Sequence, residues 1–173
     1  HPPICIMMTA YGSVDTAVDA MKRGAYDFVT KPLNLDKVEM LIARAIEGRR
    51  DRVSLSVKFG ALRSPDGTWG GVDARPQAVN NFVAYSLKRL RTDVIDVYRP
   101  ARLDPNVPIE DTVGAISRLV EKGYVRFVGL SEVGVETIRR AHKVHPICDL
   151  QIEYSLISRR PEDEIFPALR ELG

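Results

Sequence analysis

Residues 94–131 read VIDVYRPARLDPNVPIEDTVGAISRLVEKGYVRFVGLS, and their pattern decides the fold class. Val94–Tyr98 and Val125–Leu130 are short runs rich in β-branched and apolar residues, the composition of strands buried on both faces. Between them a proline-punctuated loop leads into a helix over Glu110–Lys122. Strand, helix and strand make a βαβ unit, with parallel strands and a right-handed crossover.

The same unit repeats outward in both directions. On the N-terminal side the pattern predicts strands at Ile4–Thr9, Tyr26–Thr30 and Val53–Lys58. Helices follow them at Ser13–Arg23, Leu35–Arg49 and, after a Gly- and Pro-containing loop from Gly60 to about Asp73, at Arg75–Leu90. Val14, Ala17, Val18 and Met21 share one helical face, and Val38, Leu41, Ile42, Ala45 and Ile46 share another. On the C-terminal side a helix is expected at Val135–His142, a strand at Leu150–Glu153, and a helix over Pro161–Leu172 with proline in its first turn. The expectation is an α/β chain of six successive βα units with a parallel sheet, either a partial TIM barrel or a doubly wound sheet. A closed barrel needs eight strands and usually about 250 residues. A doubly wound sheet closes with five or six in a different order, so the strand order stays open at this point.

Composition narrows the function classes. The chain has 173 residues, of which 45% are hydrophobic and 28% charged, the globular range rather than the disordered one. A net charge of +2, spread over both parts of the chain, excludes the charge excess of a nucleic-acid or membrane surface. Cys5 and Cys148 lie in apolar runs without CxxC spacing and read as buried, reduced thiols of a cytoplasmic protein. No apolar stretch approaches the roughly 20 residues of a membrane span, and no signal peptide is present. His1, His142 and His145 lack ligand spacing, and DPNVPIEDTVG lacks the central glycine of an EF-hand, so no metal is expected. Starting at His1 and stopping at Gly173 inside a repeating pattern is what a fragment or a cut chain would show.

The first fifty residues carry a strand ending in Thr9, an AYG turn, AVDAMKRGA and YDFVTKP. This wording resembles the second half of a receiver domain of NtrC-like response regulators, a flavodoxin-like fragment. The resemblance implies that Thr9 matches the hydroxyl that binds the phosphoryl group, Lys31 the lysine that contacts it, and Phe28 the switch aromatic. The family's acidic pair and acceptor Asp lie on strands outside this stretch. Thr9 and Lys31 are therefore expected as remnants of a phosphoryl site, without phosphotransfer.

From Asp51 the chain reads DRVSLSVKFG, then SLKRLRTDVIDVYRPARLDPNVPIEDTVGAISRLVEKGYVRFVGLSE, then ETIRRAHKVHPICDLQIEYSLISRRPEDEIFPALRELG. These strings resemble the aldo-keto reductases, in which they form the third to sixth units of a (β/α)₈ barrel. Two domains are thus expected, 1–50 and 51–173. The resemblance implies hydride transfer from NADPH to a small carbonyl substrate, with a Tyr as proton donor and a Lys lowering its pKa. Lys58 matches that lysine, and Ser131 and Gln151 match the residues that hydrogen-bond the nicotinamide carboxamide. Ala101 stands where the family often has His, and Glu132 where it often has Asn. Arg99 and Arg102 are expected in a solvated loop. The proton-donating Tyr and its Asp belong to the family's second unit, and the 2′-phosphate grip to its seventh and eighth. The expectation is therefore weak or absent NADP(H) binding and an incomplete, inactive chain that self-associates through open sheet edges. The alternatives are a phosphorelay fragment or a βα scaffold chimera without activity.

Overall fold

The computed structural model describes residues 6–9, 14–25, 27–30 and 35–173. The chain divides into two units, His1–Val53 with Lys88–Arg91, and Ser54–Leu87 with Thr92–Gly173. In the first, β1 (Ile6–Thr9) pairs in parallel with β2 (Asp27–Thr30). Helix α1 (Val14–Lys22) lies between them in sequence, and α2 (Leu35–Ile46) follows. Gly24, at φ +93°, takes the left-handed conformation that ends α1. Leu41, Ala45 and Ile46 are buried along α2 at the spacing the apolar stripe predicts. Thr9 pairs with Thr30 at the end of β1, while its side chain, Lys31, Cys5, Tyr11 and Tyr26 lie outside the described residues.

In the second unit, β3 (Ser56–Phe59) leads into a hairpin of β4 (Ala61–Arg63) and β5 (Trp69–Val72), then α3 (Pro76–Leu90). Three further βα pairs follow: β6 (Ile95–Pro100) with α4 (Ile109–Glu121), β7 (Val125–Ser131) with α5 (Val135–Val144), and β8 (Ile147–Gln151) with α6 (Ile165–Leu172). The sheet order is β3-β6-β7-β8, every pair parallel. Each new strand adds on the same side as the one before. That is how a barrel wall grows, and this sheet contains no point at which the order reverses.

The core sits between this sheet and its helices. Val113, Ile116 and Leu119 of α4, Ile138 and Ala141 of α5, and Val79 and Val83 of α3 are buried against Tyr98, Val128 and Leu130. Phe59 stacks on Tyr98 with ring centroids 4.4 Å apart. Each large aliphatic side chain so buried contributes about 1.5–3 kcal/mol. Glu110 and Asp111 in the first turn of α4, and Arg118 in its last, complement the helix dipole. Gly123, at φ +78°, then turns the chain into β7.

Three expectations are corrected. The loop after β3 contains the β4–β5 hairpin, whose strands of three and four residues are too short to show a period. It closes through Asp66, which accepts from the Thr68 N–H and hydroxyl. It is bound back at its base by the Asp73 N–H donating to the Gly60 carbonyl at 2.9 Å. Strand β8 starts three residues before the expected Leu150, and Cys148 is exposed rather than buried. Both misses have one cause. Val128 pairs with Ile147 but Gly129 with Asp149, so Cys148 is an extra residue, a bulge that breaks the alternation.

Candidate active site

Register partners on parallel strands face the same side of a sheet. Lys58 partners Arg99, Val97 partners Phe127, Gly129 partners Asp149 and Ser131 partners Gln151. One face therefore carries Ser56 and Lys58 from β3, Val97 and Arg99 from β6, Phe127, Gly129 and Ser131 from β7, and Asp149 and Gln151 from β8. This is the face away from the helices. Lys58, Ser131 and Gln151 stand at the C-terminal ends of three of these strands, where barrel enzymes place their chemistry.

Sequence reasoning placed Arg99 in solvent, and the structure does not. Its side chain is only 4% exposed, and Nη2 donates both to Ser56 Oγ at 2.6 Å and to Asp149 Oδ2 at 2.7 Å. In a flat sheet Ser56 and Asp149 would stand three strand spacings apart, on the order of 14 Å. A single nitrogen touching both means that the sheet curls, with this face concave. Gly129 makes the crossing possible. A Cβ there would lie 2.3 Å from Asp149 Oδ1 and 3.3 Å from Arg99 Nε.

Lys58 is exposed and makes no ion pair or hydrogen bond among the described residues. Its pKa is lowered, first by partial desolvation, then by the positive charges of Arg102 and Arg99, while Glu132 acts in the opposite direction. Arg102, as expected, is exposed, and donates to the Ala101 carbonyl at 2.8 Å. Ala101 donates its N–H to the Phe59 carbonyl at 2.8 Å, so it extends the β3–β6 pairing.

Ser131 is fully buried, and its Oγ has no hydrogen-bond partner. Gln151 beside it is exposed. The two strand ends are tied by Glu132, whose N–H donates to the Gln151 carbonyl and whose carboxylate accepts from the Glu153 N–H, both at 3.0 Å. Glu132 sits at φ +53°, a conformation Asn adopts more readily than Glu. A cleft of about 370 Å³ opens beside these ends, lined in part by Glu132, Gly134, Ile152, Glu153, Arg160 and Asp163. Among the described residues no group of three or more His, Cys, Asp or Glu is placed to hold a metal ion.

None of the described tyrosines is set beside Lys58. Tyr98, next to Arg99 in sequence, faces the core, where burial pushes its pKa well up. Tyr154 donates to Glu162 at 2.6 Å, and Tyr85 and Tyr124 are exposed on α3 and just before β7.

Residues 25–173 match the sequence model of the Aldo/keto reductase family, and the chain belongs to that family. The probable aldo-keto reductase 1 of Glycine max is 44% identical to it over 138 residues, 78% of this chain and 39% of that protein. Among solved structures, an aldo-keto reductase of Bacillus halodurans in its holo form is similar with a TM-score of 0.71 at 27% identity. The match covers 96% of this chain and 58% of that one. The glycerol dehydrogenase of Gluconobacter oxydans, 21% identical, shares the fold at a TM-score of 0.73 over 96% of this chain and 56% of its own. The chain thus spans less than half of the curated relative. The family match begins at residue 25 and takes in β2 and α2. The family, the parallel α/β sheet and its likeness to part of a (β/α)₈ barrel hold; the comparisons lend no support to a receiver domain or a flavodoxin-like fragment. No described helix is long and apolar enough to cross a membrane.

Proposed function

We propose that this chain is the third-to-sixth-unit portion of an NADP-dependent aldo-keto reductase acting on a small carbonyl compound. The observation that carries the reading is the placement of Lys58, Ser131 and Gln151 on one concave sheet face at the strand ends. When bound, the dihydronicotinamide supplies the hydride. Lys58 holds a positive charge at the mouth, where it favours the ionised form of a neighbouring proton-donating phenol. Ser131 and Gln151 supply a hydroxyl and an amide to the carboxamide. The fit is supported by the unpartnered Ser131 Oγ, since a buried hydroxyl without a partner costs about 1–3 kcal/mol that a ligand's polar group would recover.

NADPH binding by this chain is expected to draw on Ser131 and Gln151. Titration of NADPH fluorescence, with the Ser131→Ala and Gln151→Ala variants alongside, tests the reading. Each variant should weaken binding several-fold, the loss of a hydrogen bond of about 0.5–1.5 kcal/mol. Equal binding by both variants and the parent chain would sink the assignment of these residues. Turnover abolished by Lys58→Met would support the role given to Lys58, and turnover unchanged by it would count against that role. Light scattering checks the self-association expected of open sheet edges, against which a strictly monomeric species would count.

A further inference from the structure

Lys58 and Asp149 face the same concavity, yet the lysine is unpaired and the carboxylate belongs to Arg99. The guanidinium has five N–H donors. Its two hydrogen bonds both use Nη2, to Ser56 and Asp149, and Nε is buried without a partner. Ser56 is two residues before Lys58 on the same face of β3. The groups facing Lys58 are thus Arg99 and Arg102 from β6 and the loop after it, Glu132 after β7, and Asp149 on β8 beyond the guanidinium.

We propose that Arg99 is a positioning residue for Lys58: by clamping Asp149 across Gly129 it withholds the carboxylate and leaves the lysine ammonium free at the mouth of the site. The geometry of the two cations supports this assignment. A planar guanidinium held by two anchors takes a carboxylate in a fixed geometry, whereas a lysine on a flexible stem loses more rotamer freedom to do so. Without Arg99, Ser56 and Asp149 stand within roughly twice a hydrogen-bond length of each other. The lysine two residues above Ser56 then folds down onto the carboxylate and leaves the mouth. The inference rests on reading Lys58 as the site lysine.

The test is the titration of Lys58 itself, read by NMR on the chain with ¹³C-dimethylated lysines, the Lys58 signal assigned by its absence in Lys58→Arg. In Arg99→Met the Lys58 midpoint should rise by about one pH unit, partly because the guanidinium charge is gone and partly because the released Asp149 pairs with the lysine. Arg99→Lys should keep most of the parent value. Arg99→Met with Asp149→Asn should keep only the part due to the lost charge. A midpoint unmoved in Arg99→Met, or a rise equal in the single and double variants, overturns the proposal. If Arg99→Met does not fold, Asp149→Asn alone decides. It leaves the guanidinium uncompensated and should lower the midpoint, so no change or a rise overturns the proposal. The titration needs no NADPH. A chain whose NADPH binding is unchanged by Ser131→Ala and Gln151→Ala but whose Lys58 titrates as expected would defeat the site reading and leave the Arg99 clamp standing.

Discussion

Tyr98 and Arg99 are neighbours on β6 and point to opposite sides of the same sheet. On Tyr98's side, helices α3, α4 and α5 cover the strands, and the contacts are apolar: Phe59 stacked on Tyr98, Val113 and Ile116 against Val128 and Leu130. On Arg99's side most residues are charged, polar or glycine, with Val97 and Phe127 the apolar exceptions, and Phe127 is 54% exposed. The first face resists change because close-packed side chains lose contacts on all sides when one is removed. The second depends on a few polar contacts whose geometry, rather than area, fixes side-chain positions. Stability and chemistry are thus assigned to opposite parities of the same strands.

Substitutions that break one face and spare the other sharpen this contrast. The largest effect is expected from Ile116→Ala on the helix side, a loss of about 2–5 kcal/mol through lost burial and a residual cavity, measured as a lower denaturant midpoint. Gly129→Ala on the concave side should cost about 1–3 kcal/mol, since the added carbon overlaps Asp149 and crowds Val97. It should also free Asp149 from Arg99, which the Lys58 titration reads separately.

A third test isolates the helix layer. Arg140 holds Glu110 through two bonds of 2.7 Å, and this hydrogen bonding lowers the Glu110 pKa from 4.5 to about 2. The folded-state value is depressed, so the α4–α5 tie contributes stability above pH 4.5 that is lost as the pH falls towards about 2. Glu110→Gln should flatten that acid limb by lowering the neutral-pH midpoint slightly while leaving the midpoint near about pH 2 unchanged. A limb of unchanged steepness would mean that the pair, exposed as it is, contributes nothing measurable. The smallest effect is expected from Phe127→Ser, within about ±0.5 kcal/mol, because an exposed side chain has little burial to lose. A loss as large as that of Ile116→Ala would mean that the concave face is covered.

Much of the helix side was legible in advance. Leu41, Ala45 and Ile46 fall on one stripe of α2, because burial selects apolar residues at the helical period. The strand-end positions of Lys58 and Ser131 were equally readable, since each closes a short apolar run. Arg99 was not. An arginine followed by Pro100 and Ala101 reads as a loop, and only the curl of the sheet puts Ser56 and Asp149 within its reach. The bulge at Cys148 and the β4–β5 hairpin were hidden for a related reason: one extra residue, or three residues of strand, leave no period to detect.

By itself the sequence determined the alternation of strands and helices, the parallel pairing that follows from it, and the likeness to the reductase family, because each rests on local composition, spacing or wording. The tertiary structure alone decided the order β3-β6-β7-β8, the concavity of the sheet, and the partner of Asp149. Those depend on distances between residues far apart in the chain. An ion pair spanning residues 99 and 149 has no signature in the residues around either one.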